Sequence, residues 1–186
     1  ISTFGTAAIA ANAIVNSISN LVMVPGSAIG LAIITVVGQC VGAKDYDQAT
    51  DYAKRLIKIS YLSMGLLNLL LFLLSPILMP IFNLSPAATD LAIRITRVLA
   101  IFNAPVWTLS FPFANILRAS GDAKYTMIIS VISMWVFRIG LSYILAQNMN
   151  LGLMGVWYAM FIDWVIRAIC FFIRFKSGKW KTKTVI

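Results

Sequence analysis

The sequence predicts an all-α protein, a polytopic transmembrane helix bundle of about five spans. Three observations carry that prediction. Hydrophobic residues make up 60% of the 186 residues and charged ones 11%, whereas soluble domains carry about 25% charged residues. The mean hydropathy is +0.89, more apolar surface than so few charges can cover in water. The basic residues gather in clusters separated by long apolar stretches: Lys44, Lys54, Arg55 and Lys58, then Arg118 and Lys124, then Arg174, Lys176, Lys179, Lys181 and Lys183.

The first span comes from residues 1–43, which carry no charge at all. That is about twice the ~20 residues one straight crossing needs. Pro25-Gly26 lies in the middle. The stretch reads as one long kinked helix over 6–41, with the backbone bond lost at the proline compensated by packed neighbours. The alternative is two short elements joined by a re-entrant turn.

The second span covers 46–82. Asp45 is placed to cap its start, with Asp47 and Asp51 near the positive end of the helix dipole. Its apolar part begins at Ile59, so the helix starts in water and enters lipid. Ser75, Pro76 and Pro80 loosen its far end. The third span covers 86–120. Ser85-Pro86 places serine at the cap and proline at the first helical position, and Gly121 supplies a stop. Pro105 and Pro112 fall inside it.

A fourth span over 124–146 ends at the polar turn Gln147-Asn148-Met149-Asn150, and a fifth runs over 151–175. Residues 1–175 thus form one membrane domain, with no internal repeat and no linker. Residues 176–186 form a polar, basic tail.

Alternating spans bring all three basic clusters to one side. That is the positive-inside pattern, which places the tail in the cytoplasm and the first residues outside. Arg94 and Arg97 fall on the other side and are expected to snorkel to the interface. The same positions explain the net charge of +9 without nucleic acid, for which no motif or aromatic-interleaved patch is present. Cys40 and Cys170 form no disulfide framework and are expected to be reduced packing residues. The first residues carry neither a charged n-region nor a cleavage site, so no secretory leader is expected. With no histidine and no glutamate, histidine relays and the usual metal sites are missing, and no serine or cysteine has an evident base. No enzymatic activity is expected.

Ionisable groups inside lipid are costly and mark candidate sites. Asp163 lies in the fifth span, about 18 Å from its start, and Arg138 lies about 12–14 Å below the outer end of the fourth. An arginine side chain spans that difference, so an Arg138–Asp163 ion pair between adjacent antiparallel helices is expected. Arg167, one turn from Asp163 on the same face, competes for it. Such a pair either locks two helices or lets Asp163 take up a coupling ion. On the first helix Asn12, Asn16 and Asn20 recur every four residues and share a face. They are candidates to line a cavity, or else to bond neighbouring helices, and Asn103 and Asn115 of the third helix are further candidates to line that cavity.

Several segments together resemble one family. Ala8-Ile9-Ala10-Ala11-Asn12-Ala13-Ile14 and Val37-Gly38-Gln39-Cys40-Val41-Gly42-Ala43 resemble the second helix of a MATE (multidrug and toxic compound extrusion) lobe and its cytoplasmic exit. Asn115-Ile116-Leu117-Arg118-Ala119-Ser120-Gly121-Asp122 resembles the exit of the fourth helix. Met134-Trp135-Val136-Phe137-Arg138, Gly155-Val156-Trp157 and Asp163-Trp164-Val165-Ile166-Arg167-Ala168 resemble the last two helices of bacterial members. Phe175-Lys176-Ser177-Gly178-Lys179-Trp180 is similar to their C-terminal tail.

The resemblance implies two six-helix lobes around a cavity open alternately to either side, of which this chain would supply about five spans of the C-terminal lobe. It implies a multi-pass protein of the cell (inner or plasma) membrane that exports a cationic or amphipathic small molecule against sodium ions or protons. No cofactor beyond the coupling ion is implied. The partners implied are substrate, ion, membrane lipid and the missing N-terminal lobe. That lobe holds the acidic residue many members use for coupling, so Asp163 does not inherit the role. Two alternatives stand beside this reading. One is a lipid-linked oligosaccharide flippase of the same wider superfamily. The other is a non-transporting membrane scaffold.

Overall fold

The computed structural model describes residues 5–182. It contains five helices long and apolar enough to cross a membrane: α1 (Thr6–Gly42), α2 (Tyr46–Phe82), α3 (Pro86–Ala119), α4 (Ala123–Asn148) and α5 (Gly152–Lys176). Each expected span agrees with its helix to within two residues at both ends. A single 3₁₀ turn follows over Lys179–Thr182. Lys183 and the rest of the expected tail lie outside the described residues.

The helix boundaries follow from local chemistry. Asp45 accepts the Gln48 N–H at 3.0 Å, and Ser85 accepts that of Ala88 at 3.4 Å. Each satisfies a backbone donor that a helix start leaves unpaired. Gly121 adopts φ +84°, a left-handed conformation in which a Cβ would be strained, and the Asp122 N–H closes back on the Leu117 carbonyl at 2.9 Å.

α1 runs unbroken through Pro25, so no re-entrant turn forms. In α3 the turn widens to a π-helix over Asn103–Trp107, around Pro105. Proline has no N–H to donate and its ring crowds the preceding turn, and a widened turn absorbs both. The Pro105 carbonyl accepts the Tyr61 hydroxyl of α2 at 3.0 Å. α4 carries two π segments, Met134–Leu141 and Ile144–Asn148.

α1 packs on α2 and α3, and α5 packs on α3 and α4. α3 is the most enclosed helix and α4 the least. Two apolar cores divide the bundle along its length. One gathers Val15, Met64, Leu99, Trp157 and Phe161, and the other Ile33, Val37, Ile116, Leu117 and Phe171. The outward face of α2 exposes Leu62, Leu66, Leu73 and Ile77, each more than half accessible. In lipid that stripe costs nothing; in water it is a large unfavourable surface.

α4 and α5 approach closely at Gly155. A Cβ there would lie 2.7–2.9 Å from backbone atoms of Leu145 and Ala146. Backbone cannot step aside as a side-chain tip does. Gly155→Ala is therefore expected to cost about 2–3 kcal/mol. Thermal unfolding of the complete protein in detergent checks this, and an unchanged midpoint would refute the close approach.

The ends bearing the basic clusters come together at one end of the bundle. Lys44, Lys54, Arg55, Lys58, Arg118 and Lys124 are exposed there. Arg174 instead holds Asp122 through two contacts of 2.6 and 3.2 Å and lies 4.7 Å from the centre of the Tyr125 ring. The expected polar, basic tail also contributes a buried side chain. Trp180 turns back into the bundle and is 1% exposed. Arg97, near the opposite end, lies 5.6 Å over the Phe72 ring.

Candidate functional site

The polar residues of the bundle separate into three groups. The first surrounds Asp163, which is fully buried on α5. The Arg167 Nε donates to Asp163 Oδ1 at 2.9 Å, and Arg167 Nη2 donates to Oδ2 in a short ion-paired contact. Ser133 of α4 donates its hydroxyl to Asp163 Oδ1. The Arg167 guanidinium lies 5.9 Å from the centre of the Phe111 ring, and Phe111 meets Trp164 edge-on. The Trp164 Nε1–H is buried with no partner.

The expected Arg138–Asp163 pair does not form. Ser133, not Arg138, is the α4 residue opposite Asp163, and Arg138 lies five residues further along α4, within its π segment. Arg167 is one helical turn from Asp163, and its planar fork occupies both carboxylate oxygens. Arg138 instead points its Nη2 at the Met160 sulfur, 3.4 Å away, and stays exposed.

The second group lines a cavity of about 200 Å³ between α1, α4 and α5, walled by Asn12, Asn16, Arg138, Val156, Trp157 and Met160. Asn16 donates to the Asn12 carbonyl at 2.9 Å, which leaves the Asn16 side-chain oxygen and the Asn12 amide to meet whatever fills the cavity. Arg138 sits within the π segment of α4. Asn20 continues the stripe and is exposed, outside this cavity.

The third group lies along the α2–α3 seam and includes Asn103, which was expected to line a cavity. Asn103 is fully buried and donates to Asn68 Oδ1 at 3.2 Å, while Asn68 donates to the Met64 carbonyl at 2.7 Å. The π turn of α3 aims Asn103 at α2, so it joins the two helices. Asn115 is likewise a packing residue. Its oxygen accepts from Arg118 at 3.2 Å, and its amide lies 2.6 Å from the point where a Cβ on Gly30 would sit. Ser60, Thr96, Thr108 and Ser110 carry buried hydroxyls without partners.

The sequence reading did not single out Ser133, Trp164, Asn68 or the Asp122–Arg174 pair. The last was within reach. Alternating spans put the end of the third helix and the end of the fifth on one side, where Asp122 and Arg174 both lie. Asn68 carried no such signal, because a lone amide in an apolar helix names no partner.

Comparison with known proteins places this architecture. A family model described as MatE matches residues 1–144. The chain is 28% identical to "Uncharacterized transporter YisQ" of Bacillus subtilis over 98% of its length and 40% of the relative's. It is 31% identical to "Probable multidrug resistance protein NorM" of Halalkalibacterium halodurans, over 95% of this chain and 38% of that one. In fold it is similar to the MATE transporter ClbM, solved in complex with Rb+, at a TM-score of 0.84 and 21% identity, over 94% of this chain and 41% of the other. An outward-facing multidrug resistance MATE transporter gives a TM-score of 0.82 at 22% identity, over 94% and 40%. The chain spans about 40% of the length of the curated relatives it matches. The match of the family model over three-quarters of the chain, on five apolar helices with this packing, makes the chain a member of the MatE family.

Proposed function

We propose that the chain is the C-terminal part of a secondary active efflux transporter. Working with an N-terminal lobe, that transporter exports cationic or amphipathic small molecules from the cell in exchange for sodium ions or protons. The observation that carries this reading is the polar cavity of Asn12, Asn16 and Arg138, set in helices long and apolar enough to cross a membrane. Polar groups at membrane depth are kept where they meet water, ions or solutes. The names of the multidrug resistance relatives and the alkali cation bound by ClbM fit the same activity. In this reading the basic end faces the cytoplasm, by the positive-inside rule. Asp163 positions α4 against α5 and takes no part in ion exchange, because Arg167 and Ser133 already occupy its oxygens.

Dye efflux by the complete protein in everted vesicles tests the proposal. Efflux should follow an imposed sodium or proton gradient and collapse when that gradient is dissipated. Asn12→Leu with Asn16→Leu should lower it about tenfold at unchanged protein abundance, the worth of one or two hydrogen bonds. Efflux of every compound tried remaining independent of the protein would overturn the proposal.

One observation favours a second reading, a lipid-linked oligosaccharide flippase. Arg138 is a cation on the cavity wall, and its guanidinium suits a phosphate better than a cationic drug. Arg138→Gln, which keeps the cavity wall polar but removes its cation, separates the two: a flippase would lose envelope assembly, and an exporter of cationic drugs would keep its efflux.

A further inference from the structure

We infer that a groove at the basic end of the bundle is a binding site for an anionic phospholipid. The groove holds about 270 Å³ and lies between α2, α3 and α5, away from the polar cavity. Its walls are apolar and aromatic, formed chiefly by Ile57, Tyr61, Phe113 and Phe175. The Tyr61 hydroxyl is turned away to the Pro105 carbonyl, so the floor offers little to a polar solute. Lys54 and Lys58 form the rim.

Those lysines are four residues apart, one above the other on a single face of α2. Like charges at that spacing repel each other. Neither is paired with a carboxylate. Asp163 and Asp122 are engaged by Arg167 and Arg174, and Asp51, the nearest acidic residue on α2, forms no ion pair with either lysine. An anion between the two ammonium groups relieves the repulsion.

The position in the bundle identifies the anion. The apolar run of α2 begins at Ile59, directly after Lys58, so the lysines stand at the water boundary and the groove continues below them. The adjoining surface of α2, at Ile59, Leu62 and Leu66, is more than half exposed and apolar. A ligand with a negative head at the boundary and a hydrocarbon chain beneath it is a membrane lipid. Basic pockets between helices at this depth select anionic headgroups. The phosphate sits between Lys54 and Lys58, and one acyl chain runs along Ile57 and Tyr61 toward Phe113. The site serves whichever substrate the transporter carries and does not depend on the direction of transport.

The full-length protein in detergent, titrated with phosphatidylglycerol or phosphatidylcholine and read by native mass spectrometry, tests this. Phosphatidylglycerol should be retained in preference. Lys54→Ala with Lys58→Ala should weaken its retention about 30-fold, whereas Lys54→Arg with Lys58→Arg should keep it. Both positions are exposed, so these variants fold. Ile57→Trp, which fills the groove but leaves both charges, should also release the lipid. Equal retention of the two lipids would overturn the inference, and so would a double alanine variant that binds like the wild type. Retention unchanged in Ile57→Trp would show surface attraction alone, which also overturns a seated site.

Discussion

Replacing Asp163 by alanine is expected to lower the stability of the complete protein by about 3–5 kcal/mol, the cost of leaving a buried guanidinium without its counter-charge. Arg167 is 9% exposed and lies among Phe111, Trp164 and the helices that hold them. No other carboxylate pairs with it among the described residues. Asp163→Asn should be milder, since one amide oxygen still accepts from Arg167 and Ser133. The informative variant removes both charges. Asp163→Leu with Arg167→Met exchanges an ion pair for apolar packing of similar volume, an exchange that is often neutral or stabilising. The double variant should therefore recover most of the loss in a melting experiment. If the pair only positions helices, the double variant also keeps gradient-driven efflux. If Asp163 exchanges the coupling ion, the double variant is stable but uncoupled. Stability and coupling thus report on different roles of the same carboxylate.

The residues that could be read correctly from the sequence are those whose partners are local. Asp45 and Ser85 cap helices through a backbone N–H three residues away, and that geometry is set by spacing alone. Helix lengths follow from charge-free runs and the thickness of a bilayer. Arg167 as a competitor for Asp163 was legible for the same reason, being one turn away. Contacts between helices were a different matter. Choosing Arg138 as the partner assumed regular helices laid side by side from their outer ends. The π segment of α4 and the register of α4 on α5 break that assumption, and nothing in Met134–Leu141 announces a π turn. Asn103 was misplaced for a related cause. Pro105 signalled an irregular turn, but the direction in which that turn aims Asn103 depends on where α2 stands. The stripe of Asn12 and Asn16 was legible as a face; which helices enclose that face was not.

Trp180→Ala is the second substitution expected to have a large effect, about 3 kcal/mol, toward the lower limit for emptying a buried aromatic site. The indole stacks on Phe175 with centroids 5.4 Å apart and planes 5° from parallel. It meets the edge of Tyr46 at 6.3 Å, and its Nε1–H donates to the Phe175 carbonyl at 3.0 Å. Lys181 lies 5.5 Å over the ring. Tyr46 opens α2 and Phe175 closes α5, so one side chain ties the last turn of the bundle to the turn after α1. The cost should fall at the lower limit because the segment is terminal to α5. Without the indole it can peel away locally, and the helices need not collapse around a void. That distinction gives the measurement. Hydrogen exchange should quicken at Tyr46–Ala53 and at Phe175–Lys181 in Trp180→Ala, with little change near Asp163. Trp180→Phe keeps the stacking and loses the Nε1 donor, and should restore most of the protection. Exchange that rises equally throughout the bundle would mean that Trp180 supports the whole core and is not a local clasp on its basic end.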